Sequence, residues 1–304
     1  MTQHSGGVDL TGDYIALRQE VGAVWLPRDF LRVRGPDAVS FLQGQLSQDV
    51  AALEVGSAVD SLLLQPQGKV DALVRVTRTG EDEMVVDVDG GFGEAVQSRL
   101  QRFKLRVKAE LEPLPWKCLA LRGPRAHEVD VDGGGGLLLS NDWPGLPGVD
   151  VVGEAPPVPG GVRTCGPEAW EAVRIEAGIP SMGAELTEKT IPAEAGIVER
   201  TVSFTKGCFT GQELVARIDS RGGHVPRHLR GVLVATNVIP PLGAEVAVAG
   251  RAVGSLTSVA ESLERRAPVA LAYVKRDVEV PAEAEVRWEG GSAPARVEAL
   301  PLVR

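Results

Sequence analysis

Cysteine is scarce in this chain: Cys118, Cys165 and Cys208 are the only three among 304 residues, far apart and without a CxxC pair. A disulfide framework and a cysteine-rich metal centre are therefore not expected, and a reducing, cytoplasmic setting is. An iron–sulfur cluster needs about four protein ligands, so none is expected to be held stably by a single copy. Aromatic residues are few, 4% of the chain, and the five tryptophans are scattered. They form no base-stacking array of the kind used by single-strand nucleic-acid binders. Positive charge is in deficit, giving a net charge of −9, which argues against general nucleic-acid affinity. No apolar run approaches the roughly 18 residues of a membrane helix. The first fourteen residues are polar and lack the basic start and apolar run of a signal peptide, so neither a span nor a leader is expected.

What is present is an ordinary globular composition, 43% hydrophobic and 24% charged, with 36 glycines and 21 prolines. That length is enough for two or three domains, and the glycine and proline content implies many turns and short strands. Residues 1–13 read as a frayed tail. Residues 30–34 alternate like a strand, and Gly35-Pro36-Asp37 then opens a helix with Val39, Leu42 and Leu46 on one face. Residues 61–64, a turn at 65–68, residues 70–77 and residues 84–88 read as paired strands. A helix over 94–103 follows, with Val96, Leu100 and Phe103 on one side. Residues 104–111 alternate strictly between charged and apolar, the pattern of a half-buried strand. Lys104, Arg106 and Lys108 would form either an anion-binding stripe or a solvated strand face.

Residues 117–121 read as a strand with Cys118 in the core, 124–131 as short helix, and 133–136 as a glycine loop without the Lys-Ser/Thr of a phosphate-binding loop. Residues 144–166 read as connections around a short strand, and 167–177 as a helix closed by Gly178 and Pro180. After Arg230 short apolar strands at 231–235, 245–248, 252–258, 268–274 and 284–288 alternate with turns, which predicts a small antiparallel barrel.

The most informative stretch is Lys206-Gly-Cys-Phe-Thr-Gly-Gln-Glu-Leu-Val-Ala-Arg217. Thr210 and Glu213 have the spacing of a capping box, which would open a helix with Leu214, Val215 and Ile218 on its apolar side. Gly207 and Gly211 flank the cysteine where backbone must bend or approach a ligand. Cys208 then precedes a helix N-terminus and stands two residues from Lys206, and both features favour a thiolate. The competing reading makes Cys208 a small buried hydrophobe in a turn.

This stretch resembles the signature of the YgfZ branch of the GcvT-like folate-binding proteins, which usually has tyrosine where Phe209 stands. Arg174-Ile-Glu-Ala-Gly-Ile-Pro180 and Gly254-Ser-Leu-Thr-Ser258 with Pro268-Val-Ala-Leu-Ala-Tyr273 also agree. These two segments are shared with glycine-cleavage aminomethyltransferases. The likeness runs from the Gly35-Pro36-Asp37 segment to the C-terminus. It implies an α+β, three-lobed fold: two interleaved α/β lobes over residues 1–229 forming a folate pocket, then a barrel over 230–304. It also implies tetrahydrofolate or another reduced folate as ligand, and iron–sulfur client or assembly proteins as partners. The implied function is support of iron–sulfur cluster assembly or repair, with a folate-dependent aminomethyl or one-carbon transferase as the alternative.

The resemblance gives Glu176 the role of accepting two N–H bonds from the pterin, a charge-assisted pair. A pair with Arg174 or a solvated helix end is the competing reading. Asp71, after the Gln67-Gly68-Lys69 turn, stands where the aminomethyltransferases carry a catalytic acid, against a plain surface aspartate. Cys208 and Lys206 would be the reactive pair, and Arg174, Gly207, Gly211, Gln212, Glu213 and Arg217 the surrounding ligand contacts. His224 and His228 have a metal-pair spacing, but Pro226 breaks the helix between them and no metal site is expected. Arg217, Arg221, Arg227 and Arg230 make that segment basic, suited either to an anionic folate tail or to a solvated loop.

Overall fold

The computed structural model describes residues 9–131 and 136–303. The chain divides into two compact units that exchange segments: Met1–Leu26, Cys118–Ile179 and Arg230–Arg304 form one, Pro27–Lys117 and Pro180–Leu229 the other.

In the first unit a five-stranded sheet runs in the order Arg163–Thr164, Gly22–Leu26, Lys117–Arg122, Gly148–Gly153, Leu137–Ser140. Cys118, Leu119 and Leu121 are fully buried in it. The barrel of the same unit closes with six antiparallel strands, in the order Arg227–Val234, Ala267–Lys275, Arg251–Ser262, Glu245–Val248, Ala282–Trp288, Gly291–Glu298. Its core is small and β-branched, including Val232, Val246, Val253, Val286 and Val297. The last strand has no counterpart among the sequence expectations. Its alternation of exposed and buried residues is clear, but Pro294 within it reads as a breaker.

Helix Pro167–Ala177 packs on two barrel strands, Arg251–Ser262 and Ala267–Lys275. It has Pro167 at its start and ends at Gly178 in the left-handed conformation, φ 75°, as the sequence predicts. Leu10–Gln19 is also helical, contrary to the expected frayed tail. Asp9 caps it by accepting from the Gly12 N–H, and Tyr14, Ala16 and Leu17 are buried. Residues 1–8 and 132–135 lie outside the described residues, so the expected tail before Asp9 and most of the expected glycine loop fall there. Residues 124–131 form only a short 3-10 turn at Ala126–Glu128.

The second unit is built on a five-stranded antiparallel sheet, Ala58–Leu64, Val70–Gly80, Glu83–Asp89, Arg28–Arg34, Glu110–Leu114. One face carries Ala72, Val74, Val76, Met84, Val86, Val88, Leu31 and Val33 into a core closed by helices Ala38–Gln45 and Gly93–Phe103. The opposite face buries charge: Arg75 Nε donates to Asp87 Oδ2 at 2.9 Å, and Arg28 donates to Oδ1 of the same carboxylate.

The expected strand over 104–111 does not form; only Glu110–Leu114 is extended in the sheet. Residues 104–109 fold back instead. Lys104 Nζ donates to the Ala109 carbonyl at 2.6 Å, Asp37 accepts from the Lys108 N–H at 2.7 Å, and Arg106 is left-handed at φ 58°. Leu105, expected on the buried face, is 80% exposed. Among the described residues no helix is long and apolar enough to cross a membrane.

Candidate functional site

Of the three cysteines, Cys118 and Cys165 are buried and Cys208 is exposed. That excludes the buried-hydrophobe reading of Cys208. Burial, reinforced by Asp13, pushes the Cys165 thiol up to about 11, so it stays protonated and inert. Cys208 sits in the connection before helix Gln212–Ser220. The helix is not opened by a capping box. Its N-cap is Gly211, left-handed at φ 81° with no side-chain cap, and Gln212 Oε1 instead accepts from the Phe209 N–H at 3.1 Å.

Two devices fix this loop. Lys206 is the first. Its Nζ donates to the carbonyls of Gln43, Leu46 and Gln48 at 2.5, 2.7 and 3.1 Å. An ammonium has three donors, so all are spent. These carbonyls lie at and just past the end of helix Ala38–Gln45, where unpaired C=O groups and the negative dipole end favour a cation. Lys206 therefore holds the loop, a role beyond the pairing with the thiol that the sequence spacing predicts. Burial pushes the Lys206 ammonium down to about 8, with Asp49 pulling the other way.

The second device is a back-to-back contact of two glycines. A Cβ on Gly211 would lie 2.5 Å from the Gln65 carbonyl oxygen and 3.2 Å from Gly68 Cα, and a Cβ on Gly68 would lie 2.7 Å from Leu214 Cβ. Both glycines have positive φ, 81° and 72°. The structure thus brings the cysteine loop against the 65–69 turn that precedes Asp71. Gly211→Ala is expected to cost about 1–3 kcal/mol from strain and clash. Gly207→Ala should be close to neutral, because Gly207 has ordinary φ and nothing near its would-be Cβ. Equal melting temperatures for the two variants would show that the contact does not hold the loop.

Asp71 owes its orientation to an irregularity. Leu63 pairs with Ala72 but Leu64 with Val70, so Asp71 is the extra residue of a β-bulge. Bulges re-aim side chains. Asp71 is aimed at helix Gly93–Phe103, where Arg99 Nε approaches its Oδ2 at 3.3 Å and the Arg99 guanidinium stacks on Phe103, 3.9 Å from the ring centroid. The sequence reading missed Arg99, and missed the Arg75–Asp87–Arg28 network. The available signal was charge at intervals inside otherwise apolar central strands.

The other predicted residues divide clearly. Glu213 and Arg217 are exposed on helix Gln212–Ser220 with no side-chain partner among the described residues. Arg227, in the basic segment, is paired with Glu194 at 3.2 Å. Among the described residues no group of three or more His, Cys, Asp or Glu is placed to hold a metal ion.

Glu176 and Arg174 belong to the first unit, and both are committed internally. The Glu176 carboxylate has no exposed surface. Its Oε1 accepts from Tyr14 Oη at 2.6 Å and from Ser262 Oγ, and its Oε2 faces Arg18 Nε at 3.2 Å. Its backbone carbonyl accepts from the Leu302 N–H at 2.7 Å. Arg174 donates to Ser258 Oγ at 2.7 Å, to Glu171 and to the Ile179 carbonyl. Glu176 thus joins two helices, a barrel strand and the C-terminal segment, and its Oε2, buried beside Arg18, has no hydrogen-bond partner. Tyr14 and Arg18, an i, i+4 pair, were missed because residues 14–29, between the expected tail and the strand at 30–34, are given no element by the sequence reading.

Residues 17–130 match the sequence family described as the GCVT N-terminal domain, and residues 227–303 the glycine cleavage T-protein C-terminal barrel domain. An aminomethyltransferase of Thermus thermophilus is 31% identical, across 96% of this chain and 89% of that protein. One of Rubrobacter xylanophilus is 30% identical, across 89% and 80%. An uncharacterized protein of Haemophilus influenzae is 26% identical, across 64% and 67%. The crystal structure of glycine cleavage system aminomethyltransferase T from Bartonella henselae superposes with a TM-score of 0.84 over 97% of this chain and 89% of that one, at 23% identity, which establishes a shared fold. With two domains of one protein matched in order and relatives at 30% identity along nearly the whole length, the chain belongs to the GcvT, glycine cleavage T-protein, family.

Proposed function

We propose that this chain is a YgfZ-type member of the family: a cytoplasmic protein that binds a reduced folate and supports assembly or repair of iron–sulfur proteins, with Cys208 as its functional thiol. The observation that carries the reading is the exposed Cys208 on a loop held by Lys206 and by the Gly68–Gly211 contact. A packing cysteine needs no such framing. Cys208 is a free nucleophile or soft metal ligand, suited to a transient bond with a client or its metal.

The residues offered for folate are tested by their freedom. A pterin edge needs a carboxylate with open lone pairs, and an anionic tail needs an unpaired cation. Arg174 does not fit, being already bonded, whereas Glu176 is enclosed but keeps Oε2 without a hydrogen bond, facing only Arg18. Glu213 and Arg217 fit, and Asp71 stands beside the same loop through the 65–69 turn. A bound reduced folate would supply a one-carbon carrier. In this reading the chain's own residues bind and orient it.

The test replaces Cys208 by serine, which keeps the size and loses the sulfur nucleophile. Because Cys208 is exposed, stability is expected within about 0.5 kcal/mol of wild type, and titration with 5-formyltetrahydrofolate should be unaltered. Iron–sulfur enzyme activity in cells lacking the wild-type protein should not be restored. Full restoration by Cys208→Ser would sink the thiol role. A second reading, a folate-dependent one-carbon transferase, is favoured by the curated relatives named aminomethyltransferase. Turnover in a glycine-cleavage assay with the purified protein would replace the first reading by this one.

A further inference from the structure

Helix Gln212–Ser220 follows the cysteine loop and leaves part of its apolar flank uncovered. It stops at two left-handed glycines. The Gly223 N–H donates to the Ile218 carbonyl and the Gly222 N–H to the Asp219 carbonyl, both at 2.9 Å, with φ 71° and 80°. The chain facing it, residues 191–199, is folded into a turn of its own. There the Glu194 N–H donates to the Ile191 carbonyl at 2.9 Å, Glu194 Oε2 accepts from the Ile191 N–H at 3.3 Å, and Gly196 is left-handed at φ 69°. Between these two walls, both within the second unit, lies a cavity of about 200 Å³. Ile191, Val198, Val215 and Ile218 give it an apolar floor, and all but Val215 are only half-buried.

The charge on the lining has one sign. Glu199 and Asp219, one from each wall, line the cavity and are exposed. Neither side chain has a hydrogen bond or ion pair among the described residues, and no lysine or arginine lines the cavity. Arg200, the cation next to Glu199 in sequence, is committed to Asp60. Two carboxylates beside an apolar floor favour a cation with an apolar stem. Arginine has that form: its methylenes lie on apolar surface while the guanidinium stays at the edge, and its fork of N–H donors bonds carboxylates in pairs. The volume selects the same occupant. It falls below the roughly 300–1,000 Å³ of small-molecule sites and suits one long side chain. Both walls are turns closed by their own hydrogen bonds, so docking orders little backbone.

We infer that this cavity seats an arginine side chain of a partner protein, its stem against Val198, Val215 and Ile218 and its guanidinium on Glu199 and Asp219. Arginine anchors in desolvated pockets carry much of the energy of protein interfaces. The surface is separate from the side chains offered for folate: at about 3.6 residues per turn, Glu213 and Arg217 fall roughly opposite Val215 on the helix. The docking rests on the proposed function only in taking the partner to be the client met by Cys208. A helix rises about 1.5 Å per residue, so a partner seated here lies roughly 10–20 Å from that thiol.

The probe is the blocked peptide acetyl-Ala-Leu-Arg-Leu-Ala-amide, titrated into the isotope-labelled full chain and followed by amide chemical shifts. Saturable changes confined to residues 191–199 and 212–223 are expected. The same peptide with glutamate in place of arginine should not bind. Glu199→Gln combined with Asp219→Asn should weaken binding roughly threefold to twentyfold, two exposed charge contacts being lost together. Melting should stay near wild type, because both positions are exposed. Ala193→Phe, on the lining, should abolish binding by filling the space; if that protein folds poorly, the charge variant decides. Equal affinity of the two peptides, unaltered affinity in the charge variant, or shifts spread beyond the two walls overturns the proposal. Saturation by n-butylammonium as tight as by the peptide assigns the cavity to a free amine, and a dimer abolished by the charge variant assigns it to a second copy; either result also overturns it. Cys208→Ser should leave peptide affinity unaltered, so failure of the thiol reading in cells and failure of this docking are read separately.

Discussion

Glu176→Ala is expected to lower the stability of the first unit by about 3–5 kcal/mol, the usual consequence of removing one partner from a buried ion pair. Arg18, which meets Glu176 through Nε, would be left as a buried cation; its side chain is only 7% exposed and its Nη2 has no hydrogen-bond partner. The Tyr14 and Ser262 hydroxyls would lose their common acceptor. Glu176→Gln keeps the shape and an acceptor oxygen, so it should cost less, about 1–2 kcal/mol.

The pH dependence carries a definite sign. Burial pushes the Glu176 carboxyl above its ordinary 4.5, against the opposing pull of Ser262, Tyr14 and Arg18. Burial and the neighbouring carboxylate push the Tyr14 hydroxyl up to about 12, so it remains a donor throughout. The folded state therefore holds the Glu176 proton where the unfolded chain has released it. The stability this contributes is full below the ordinary glutamate value and is lost as pH rises through the raised one. Wild type should lose its advantage over Glu176→Gln as pH rises through that window. Thermal melting of the three proteins from pH 4 upward is the measurement. A loss below about 1 kcal/mol for Glu176→Ala would show that this cluster does not anchor the unit.

Lys206→Met is expected to cost about 2–3 kcal/mol and to release the cysteine loop. Methionine keeps most of the apolar stem, and with it the packing beside Phe209, whose ring centroid lies 5.3 Å from Nζ. It removes every donor, leaving the carbonyls of Gln43, Leu46 and Gln48 without this partner. The cost stays below that of three full charged bonds because the buried ammonium was itself penalised, as its lowered pKa records. Two readouts separate positioning from bulk stability. Amide hydrogen exchange should rise in residues 203–211, and the alkylation rate of Cys208 should change while Cys118 stays protected. Unchanged exchange across that loop would remove Lys206 as its clamp.

Much of the architecture is legible in local pattern. Short apolar runs bounded by glycine- and proline-containing turns mark the barrel strands and the Ala58–Leu64/Val70–Gly80 hairpin, because a buried strand needs only a few apolar residues before the chain must turn back. Pro167 and Gly178 bracket their helix, because proline is tolerated in a first turn and glycine accepts the left-handed cap. The sequence by itself also singled out the 206–217 stretch, through glycines and a cysteine that no regular element requires.

Tertiary structure alone decided what those residues do, because each decisive partner is distant in sequence. Lys206 meets carbonyls 158 to 163 residues upstream, and no local spacing distinguishes that clamp from a lysine beside a thiolate. Glu176 meets Tyr14 at a separation of 162 and Ser262 at 86. A carboxylate at a helix end looks equally suited to a ligand or to an internal anchor until its neighbours are known. The alternation at 104–111 is a true strand signal, but a strand exists only where an edge accepts its hydrogen bonds. Here the loop bonded to itself and to Asp37 instead. Asp71 turned toward Arg99 because one extra residue entered a ladder, and a bulge is a property of the pairing of two strands, absent from either strand alone.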